Sequence, residues 1–355
     1  MPRFAIHSAQ LAAAALALLA GAPASGAQAR RAAQRPPLML SEQGSFFVGG
    51  TIQFRDPNST TENDPRFVPG DIAVDHMYVE YQIPVVRKYR YPIVMMHGGG
   101  HTGKTYETTP DGREGWFTTF TRRGFSPYKV DAPNRGRTGY DPTHRYKVYL
   151  GLEPPTALEI GNIYSAQAAW VAFRWGPAYG VQYAGQQFPV EHLRDYLPQS
   201  VPSYRDATQN PKIVSDLVAL IDKIGPCILL GWSTGTSNVT SNVMNAAVQR
   251  PNLVKGVIGL EGAPPTGGVD MSTLARIPVV VLIGDFTSPA ASKAFTDALV
   301  SLGGDAQTIW LPDVGIHGNG HTMMMERNSE QVAEVVVRWI NGHVPNVRGT
   351  YRPRE

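Results

Sequence analysis

From residue 91 onward, apolar runs of strand length alternate with longer amphipathic stretches, and this alternation limits the fold more than any other feature. "YPIVMMHGG" (91–99), "SPYKVDAP" (126–133), "PCILLGW" (226–232), "VKGVIGLEG" (254–262), "IPVVVLIGD" (277–285) and "AQTIWLPD" (306–313) read as short buried strands. Between and after them, a stretch around Trp116–Arg123 and the segments 211–225, 236–251, 290–304 and 329–344 carry helical periodicity. Strands alternating with helices predict an α/β fold, a mostly parallel sheet with helices on both faces. Upstream, "FFVGGTIQF" (46–54) and "VDHMYVEYQIPV" (74–85) read as an antiparallel opening pair.

Residues 141–205 break the alternation and hold eleven of the chain's 33 aromatics. A long insertion at the carboxyl end of a parallel sheet is where a cap over an active site would sit. The plainer alternative is a helical appendage whose aromatics fill a small core of its own.

The first residues are expected to lie outside the fold. Arg3 precedes an Ala/Leu run, Leu11 to Ala22, and a small-residue stretch ending "AQA" at 27–29. That is the layout of a signal peptide cleaved after Ala29, with an uncleaved N-terminal anchor as the alternative, and the run is shorter than the roughly 20 residues a membrane span needs. The chain therefore divides into a signal peptide (1–29), a flexible lead (30–44), an α/β core (45–140 and 206–345), a cap insertion (141–205) and a C-terminal tail (346–355). A periplasmic or secreted location without stable membrane insertion follows from that division. The formal charge of +3 is small and scattered, which gives no footprint for nucleic acid. Cys227 is the only cysteine, so an intramolecular disulfide and cysteine-ligated zinc are both excluded. Nothing in the sequence sets the oligomeric state.

"LLGWSTGTSN" places Gly231-Trp232-Ser233-Thr234-Gly235 between a strand and a helix. A serine on so sharp a turn needs small neighbours, and the turn leaves its Oγ exposed at the sheet edge. It also aims the Thr234 N–H where negative charge develops in acyl transfer. A second donor normally comes from the loop after the third strand, and "MMHGGGHTG" occupies that slot with the H-G-G-G pattern of lipases and esterases. Gly99 is the expected donor, with Gly100 beside it; His97 would fix the loop and His101 line the pocket. "HGGGH" (97–101) and "HGNGH" (317–321) also raise a four-histidine metal site. Three consecutive glycines cannot hold the helix on which H-x-x-x-H binds zinc, so no metal and no cofactor is expected.

The base should follow the last strand, where "LPDVGIHGNGHTMMM" supplies His317 and His321. His321, farther along the loop, is the better placed to swing back over Ser233. Two carboxylates compete to orient it: Asp285, after the seventh strand, and Glu261, at the end of the sixth. Frequency at these positions slightly favours Asp285. Met323, with Met324 and Met325, would line an apolar acyl pocket or simply pack.

The chain as a whole resembles the α/β-hydrolase superfamily, and more narrowly a branch of secreted bacterial esterases whose acid is a glutamate after strand six. The stretches that carry the likeness are "HGGGHTGKTYETTPDGREGW" (97–116), "NRGRTGY" (134–140), "FRWGP" (173–177), "LEG" (260–262) and "GIHGNGHTMMMERN" (315–328). The resemblance implies Ser233 as nucleophile, His321 as base and Glu261 as acid, with Asp285 structural. Members of that branch can carry cysteines after the oxyanion H-G, where this chain has Gly99 and Gly100. The expectation is an exported serine carboxylic-ester hydrolase working on a small-molecule ester through an acyl-enzyme. An acyltransferase with the same residues and a histidine-ligated metal hydrolase are the alternatives.

Overall fold

The strands are β1 (Leu40–Arg55), β2 (Gly70–Pro84), β3 (Ile93–Met96), β4 (Pro127–Asp131), β5 (Cys227–Trp232), β6 (Val254–Leu260), β7 (Val279–Ile283) and β8 (Ala306–Trp310). They form one eight-stranded sheet in the order β1-β2-β4-β3-β5-β6-β7-β8. β2 is antiparallel to both of its neighbours, and every pairing from β4 to β8 is parallel. The computed structural model describes residues 35–55, 70–140, 142–158, 163–202, 209–233, 239–262 and 268–349. Leu38–Glu355 forms one compact unit and Met1–Pro37 another, of which only residues 35–37 are described. The expected signal peptide therefore lies outside the described residues. No helix among the described residues is long and apolar enough to cross a membrane.

The α-helices are α1 (Trp116–Arg122), α2 (Thr143–Tyr149), α3 (Ala166–Ala172), α4 (Leu193–Tyr196), α5 (Gln209–Ile224), α6 (Val239–Gln249), α7 (Met271–Leu274), α8 (Ala290–Ser301) and α9 (Ser329–His343). The alternation of side chains along each strand divides the core in two. Ile93, Met95, Ile228 and Leu230 point to one face, where α1 and α9 cover them; Val94, Met96, Cys227 and Leu229 point to the other, under α5, α6 and α8. In α9 the buried Val332, Ala333, Val336 and Ile340 recur at the three- and four-residue spacing of one helical face.

Two expected boundaries shift. β1 begins at Leu40, inside the stretch 30–44 read as a flexible lead, because its ladder with β2 runs from Leu40↔Pro84 onward. The tail is anchored at its start: Arg90 donates its N–H to the Val347 carbonyl (2.8 Å), Tyr89 bridges Arg348, and the Val347 side chain is buried.

The insertion holds helices α2, α3 and α4 and no strand among its described residues. Its aromatics do not form a separate core. Trp170, Phe173, Trp175, Phe188 and Tyr196 belong to the same buried cluster as β3, β5 and α9, whereas Tyr149 and Tyr179 face solvent.

Candidate active site

The parallel strands end together, and the loops that leave them converge. Ser233 follows β5 with φ +74°, a backbone conformation that non-glycine residues avoid at a cost of roughly 1–3 kcal/mol. Its N–H is fixed on the Leu260 carbonyl at 2.8 Å. Glu261, the first residue after β6, has φ +59°, and Arg174, just past α3, has φ +60°. Six non-glycine residues have such angles among the described residues, and these three meet at one point.

His321 Nε2 lies 2.8 Å from Ser233 Oγ. The loop that carries His321 is held from three sides. Its N–H donates to the Phe173 carbonyl (2.9 Å), its carbonyl accepts from the Trp232 indole (2.6 Å), and its ring stacks on Phe173 with centroids 5.7 Å apart. Gly320 is required here, because a Cβ would sit 2.7 Å from the Phe173 carbonyl oxygen. Glu261, fully buried, takes the Gly284 N–H on Oε1 at 2.5 Å. Its Oε2 lies 3.5 Å from His321 Nδ1. Arg174 Nη1 reaches both groups, 2.5 Å from Glu261 Oε2 and 3.0 Å from His321 Nδ1.

Burial alone would push the Glu261 carboxyl up; the hydrogen bond to His321 and the Arg174 charge outweigh it and hold the group below its ordinary value. Burial also holds His321 below the ordinary histidine value, Glu261 pulls it back, and Arg174 adds to the lowering. The group opposite Ser233 is thus a neutral imidazole beside an ionised carboxylate, which is what a general base needs.

The loop after β3 is braced by both of its histidines. His97 Nε2 accepts the Ala132 N–H (3.0 Å), so Nδ1 carries the proton and donates to the Gly98 carbonyl (2.8 Å). His101 Nδ1 donates to the Gly99 carbonyl (2.9 Å), which leaves Nε2 to accept from the Tyr196 hydroxyl (2.7 Å). Burial drives the first to about 3 and the second to about 4, so both stay neutral. With the Gly98 and Gly99 carbonyls tied, the N–H groups of Gly99 and Gly100 on the far side of those planar peptides have fixed directions. Gly98 itself lets the loop press on the elbow: a Cβ there would sit 2.6 Å from the Trp232 ring. Thr234 lies outside the described residues.

The competing candidates go elsewhere. Asp285 accepts the Asn319 N–H at 3.2 Å, and its carboxylate lies 3.4 Å from Nδ1 of His317, whose side chain is 67% exposed. Met323, Met324 and Met325 are wholly buried in the aromatic cluster, so packing is the role they display. Cys227, the first residue of β5, is buried with its thiol pushed up to about 12 by desolvation, consistent with a core residue. The four histidines of the two glycine loops serve four different partner sets. Among the described residues no group of three or more His, Cys, Asp or Glu is placed to hold a metal ion.

Three contributors escaped the sequence reading. Arg174 stands within "FRWGP", a stretch that carried the resemblance without suggesting a task for the arginine. Trp232, the residue before the serine in the elbow, ties the serine turn to the histidine loop through its indole. Glu326, fully buried, accepts from the Asn319 side chain (2.6 Å) and the Gly320 N–H (2.9 Å) and braces the loop from behind. Desolvation pushes its carboxyl up to about 8.

No family model matches the chain. It is 28% identical over 345 residues to a "Probable secreted lipase phiG" from a fungus (Fungal sp., strain ATCC 74256), which covers 77% of this chain and 88% of that protein. Among solved structures it is similar to one described as a novel bacterial esterase: 36% identical, TM-score 0.77, covering 87% of this chain and 98% of the other.

Proposed function

Because this chain belongs to the α/β-hydrolase superfamily and is a carboxylic ester hydrolase, we propose that it cleaves its ester through an acyl-enzyme on Ser233, with His321 as base and Glu261 as orienting acid. The observation that carries this reading is the 2.8 Å contact between Ser233 Oγ and His321 Nε2 at a left-handed turn. Ser233 Oγ attacks the carbonyl carbon while its proton passes to Nε2. The oxygen gains negative charge and is held by the N–H groups of Gly99 and Thr234. His321 then gives its proton to the departing alcohol, and the acyl group stays on Ser233. A water, deprotonated by the same nitrogen, attacks the acyl carbon; the acid leaves and Ser233 regains its proton. Glu261 accepts the Nδ1–H and offsets the charge that the imidazole gains in each half.

The insertion 141–205 is read as a cap whose inner part is fixed rather than hinged. Phe173 holds the His321 amide, and Gln187 exchanges backbone hydrogen bonds with Gly318 and Arg327 on the loop of the base. The N-terminal segment 1–29 is read as an export signal and the location as periplasmic or secreted, in line with a relative named as a secreted lipase. The substrate is a small-molecule ester. The test is labelling: a fluorophosphonate should modify Ser233 and abolish p-nitrophenyl ester hydrolysis, while EDTA should leave the rate unchanged. Activity lost to chelation and restored by zinc would replace this mechanism with a metal-dependent one.

A further inference from the structure

Among the described residues Arg174 is the one charged side chain that touches both the acid and the base, and an ordinary serine hydrolase mechanism has no task for it. Its Nη1 carries two hydrogens and cannot accept. One points to Glu261 Oε2 at 2.5 Å, and the nitrogen 3.0 Å away on the other side is His321 Nδ1. A base that takes the Ser233 proton on Nε2 carries its own hydrogen on Nδ1, so Arg174 and His321 are two donors that converge on the one Glu261 oxygen. The direct Nδ1 to Glu261 Oε2 approach is longer, 3.5 Å. Backbone geometry points the same way. Arg174 is held at φ +60°, and this turn lets the preceding Phe173 carbonyl take the His321 N–H while the arginine side chain passes behind the same ring. Strain of this kind persists only where the surroundings over-determine it.

We propose that Arg174 is a positioning residue of the acid–base pair: it pins the Glu261 carboxylate beside Nδ1 of His321 and sets its own fixed charge against the same edge of the ring. The inference rests on the reading of Ser233, His321 and Glu261 as the reacting set. Its physical content is competition. Arg174 and Glu261 face the same edge of the ring, one favouring the neutral imidazole and the other the imidazolium. The groups facing the ring are Glu261 after β6, Arg174 after α3, Ser233 after β5 and the neutral His101 after β3, while Glu326 stands behind on the loop of the base itself. Of these only Arg174 carries a fixed positive charge, and its presence lowers the imidazole's proton affinity, as burial does. The enzyme thereby keeps its base competent at lower pH than the carboxylate alone would allow.

The test titrates His321 by ¹⁵N imidazole NMR in the Ser233→Ala protein, with Arg174 intact, with Arg174→Lys and with Arg174→Gly. Glycine suits the left-handed backbone, so Arg174→Gly removes the charge without straining the turn; Arg174→Asn, which also tolerates that conformation, stands in if the glycine variant does not fold. With Arg174 intact, Nε2 should report as the unprotonated nitrogen at neutral pH. Arg174→Gly should raise the midpoint by about one pH unit, the size expected for removing an adjacent like charge, and Arg174→Lys should restore most of it. In the active enzyme the acid limb of kcat/KM should move with the midpoint. A midpoint unchanged in Arg174→Gly overturns the role of Arg174. Ester hydrolysis surviving Ser233→Ala would instead overturn the mechanism, and the titration reads Arg174 without needing activity at all.

Discussion

"HGGGH" at 97–101 and "HGNGH" at 317–321 share spacing, flanking histidines and glycine filling, yet the fold puts them to opposite uses. In the first, both imidazoles are wholly buried and spent on main-chain carbonyls, with an amide and a tyrosine as their other partners. In the second, His321 faces Ser233 while His317 stands in solvent. The difference comes from where each loop leaves the sheet. The first follows a central strand and is walled in by Trp232, Phe173 and Tyr196. The second follows the edge strand β8, and only its far end reaches back over β5. A histidine pair is thus a poor guide to chemistry until the topology says which ring has a nucleophile within reach.

The comparison breaks most readily at its strongest point. His321→Ala should cut kcat by about 10⁶-fold, the loss seen when a base is removed from a cooperative serine site. Glu261→Gln keeps the shape but cannot stabilise the imidazolium, so kcat should fall about 10⁴-fold with circular dichroism unchanged. Because His321 sits below the ordinary histidine value, and the base works only when neutral, kcat/KM should drop as pH falls through a value lower than about 6.5. A limb above that value would mean that the carboxylate, not burial and Arg174, governs the ring.

The first loop predicts a smaller and different loss. His101→Phe fills the space but unties the Gly99 carbonyl and strands the Tyr196 hydroxyl. It should lower kcat by about 10²-fold through a slackened oxyanion loop. It should also cost about 1–3 kcal/mol of stability for the buried groups left unpaired. If His101→Phe matched His321→Ala in kcat with full stability, the two loops would not differ in kind.

Behind the second loop, Glu326 makes stability depend on pH. Its carboxyl stands at about 8 in the folded protein against an ordinary value of about 4.3. The native state therefore keeps a proton that the unfolded chain has released. Stability from this source is full below the unfolded value and declines as pH rises toward about 8. Glu326→Gln cannot ionise, so thermal melts of that variant should lose less Tm than wild type between those limits. Parallel Tm curves would remove the buried acid from the account of the loop.

Much of this is legible in the sequence. The strand and helix alternation places β3 to β8, and the elbow at 231–235 picks out Ser233, because both are local patterns with local causes. The acid was not decided by residue type: Asp285 and Glu261 both end strands, and only the path of the 315–322 loop puts His317 beside one and His321 beside the other. Arg174 was out of reach for the same reason. It lies 87 residues from Glu261 and 147 from His321, and neither its charge nor its turn announces a destination. The start of β1 at Leu40 was missed because "LSEQGSF" lacks the apolar alternation of a half-buried strand; it pairs as a solvent-exposed edge.

The smallest expected effect is the sharpest discriminator between the two histidines of the second loop. His317 is 67% exposed, and its contact with Asp285, at 3.4 Å, is open to solvent. An exposed pair of this kind contributes at most about 1 kcal/mol and is screened by salt. Asp285 has a second task, taking the Asn319 N–H at 3.2 Å, but the Asp285 N–H also donates to the Asn319 carbonyl (2.9 Å), so the loop keeps an anchor when the carboxylate is changed. His317→Ala should therefore leave kcat within a factor of about two and barely move the melting temperature. Asp285→Asn retains an oxygen for the Asn319 amide and should be nearly as mild. Both are measured against His321→Ala on the same p-nitrophenyl ester. A crippled Asp285→Asn beside a nearly normal Glu261→Gln would move the acid to the end of β7, and a crippled His317→Ala would make the exposed ring, not the buried one, the base.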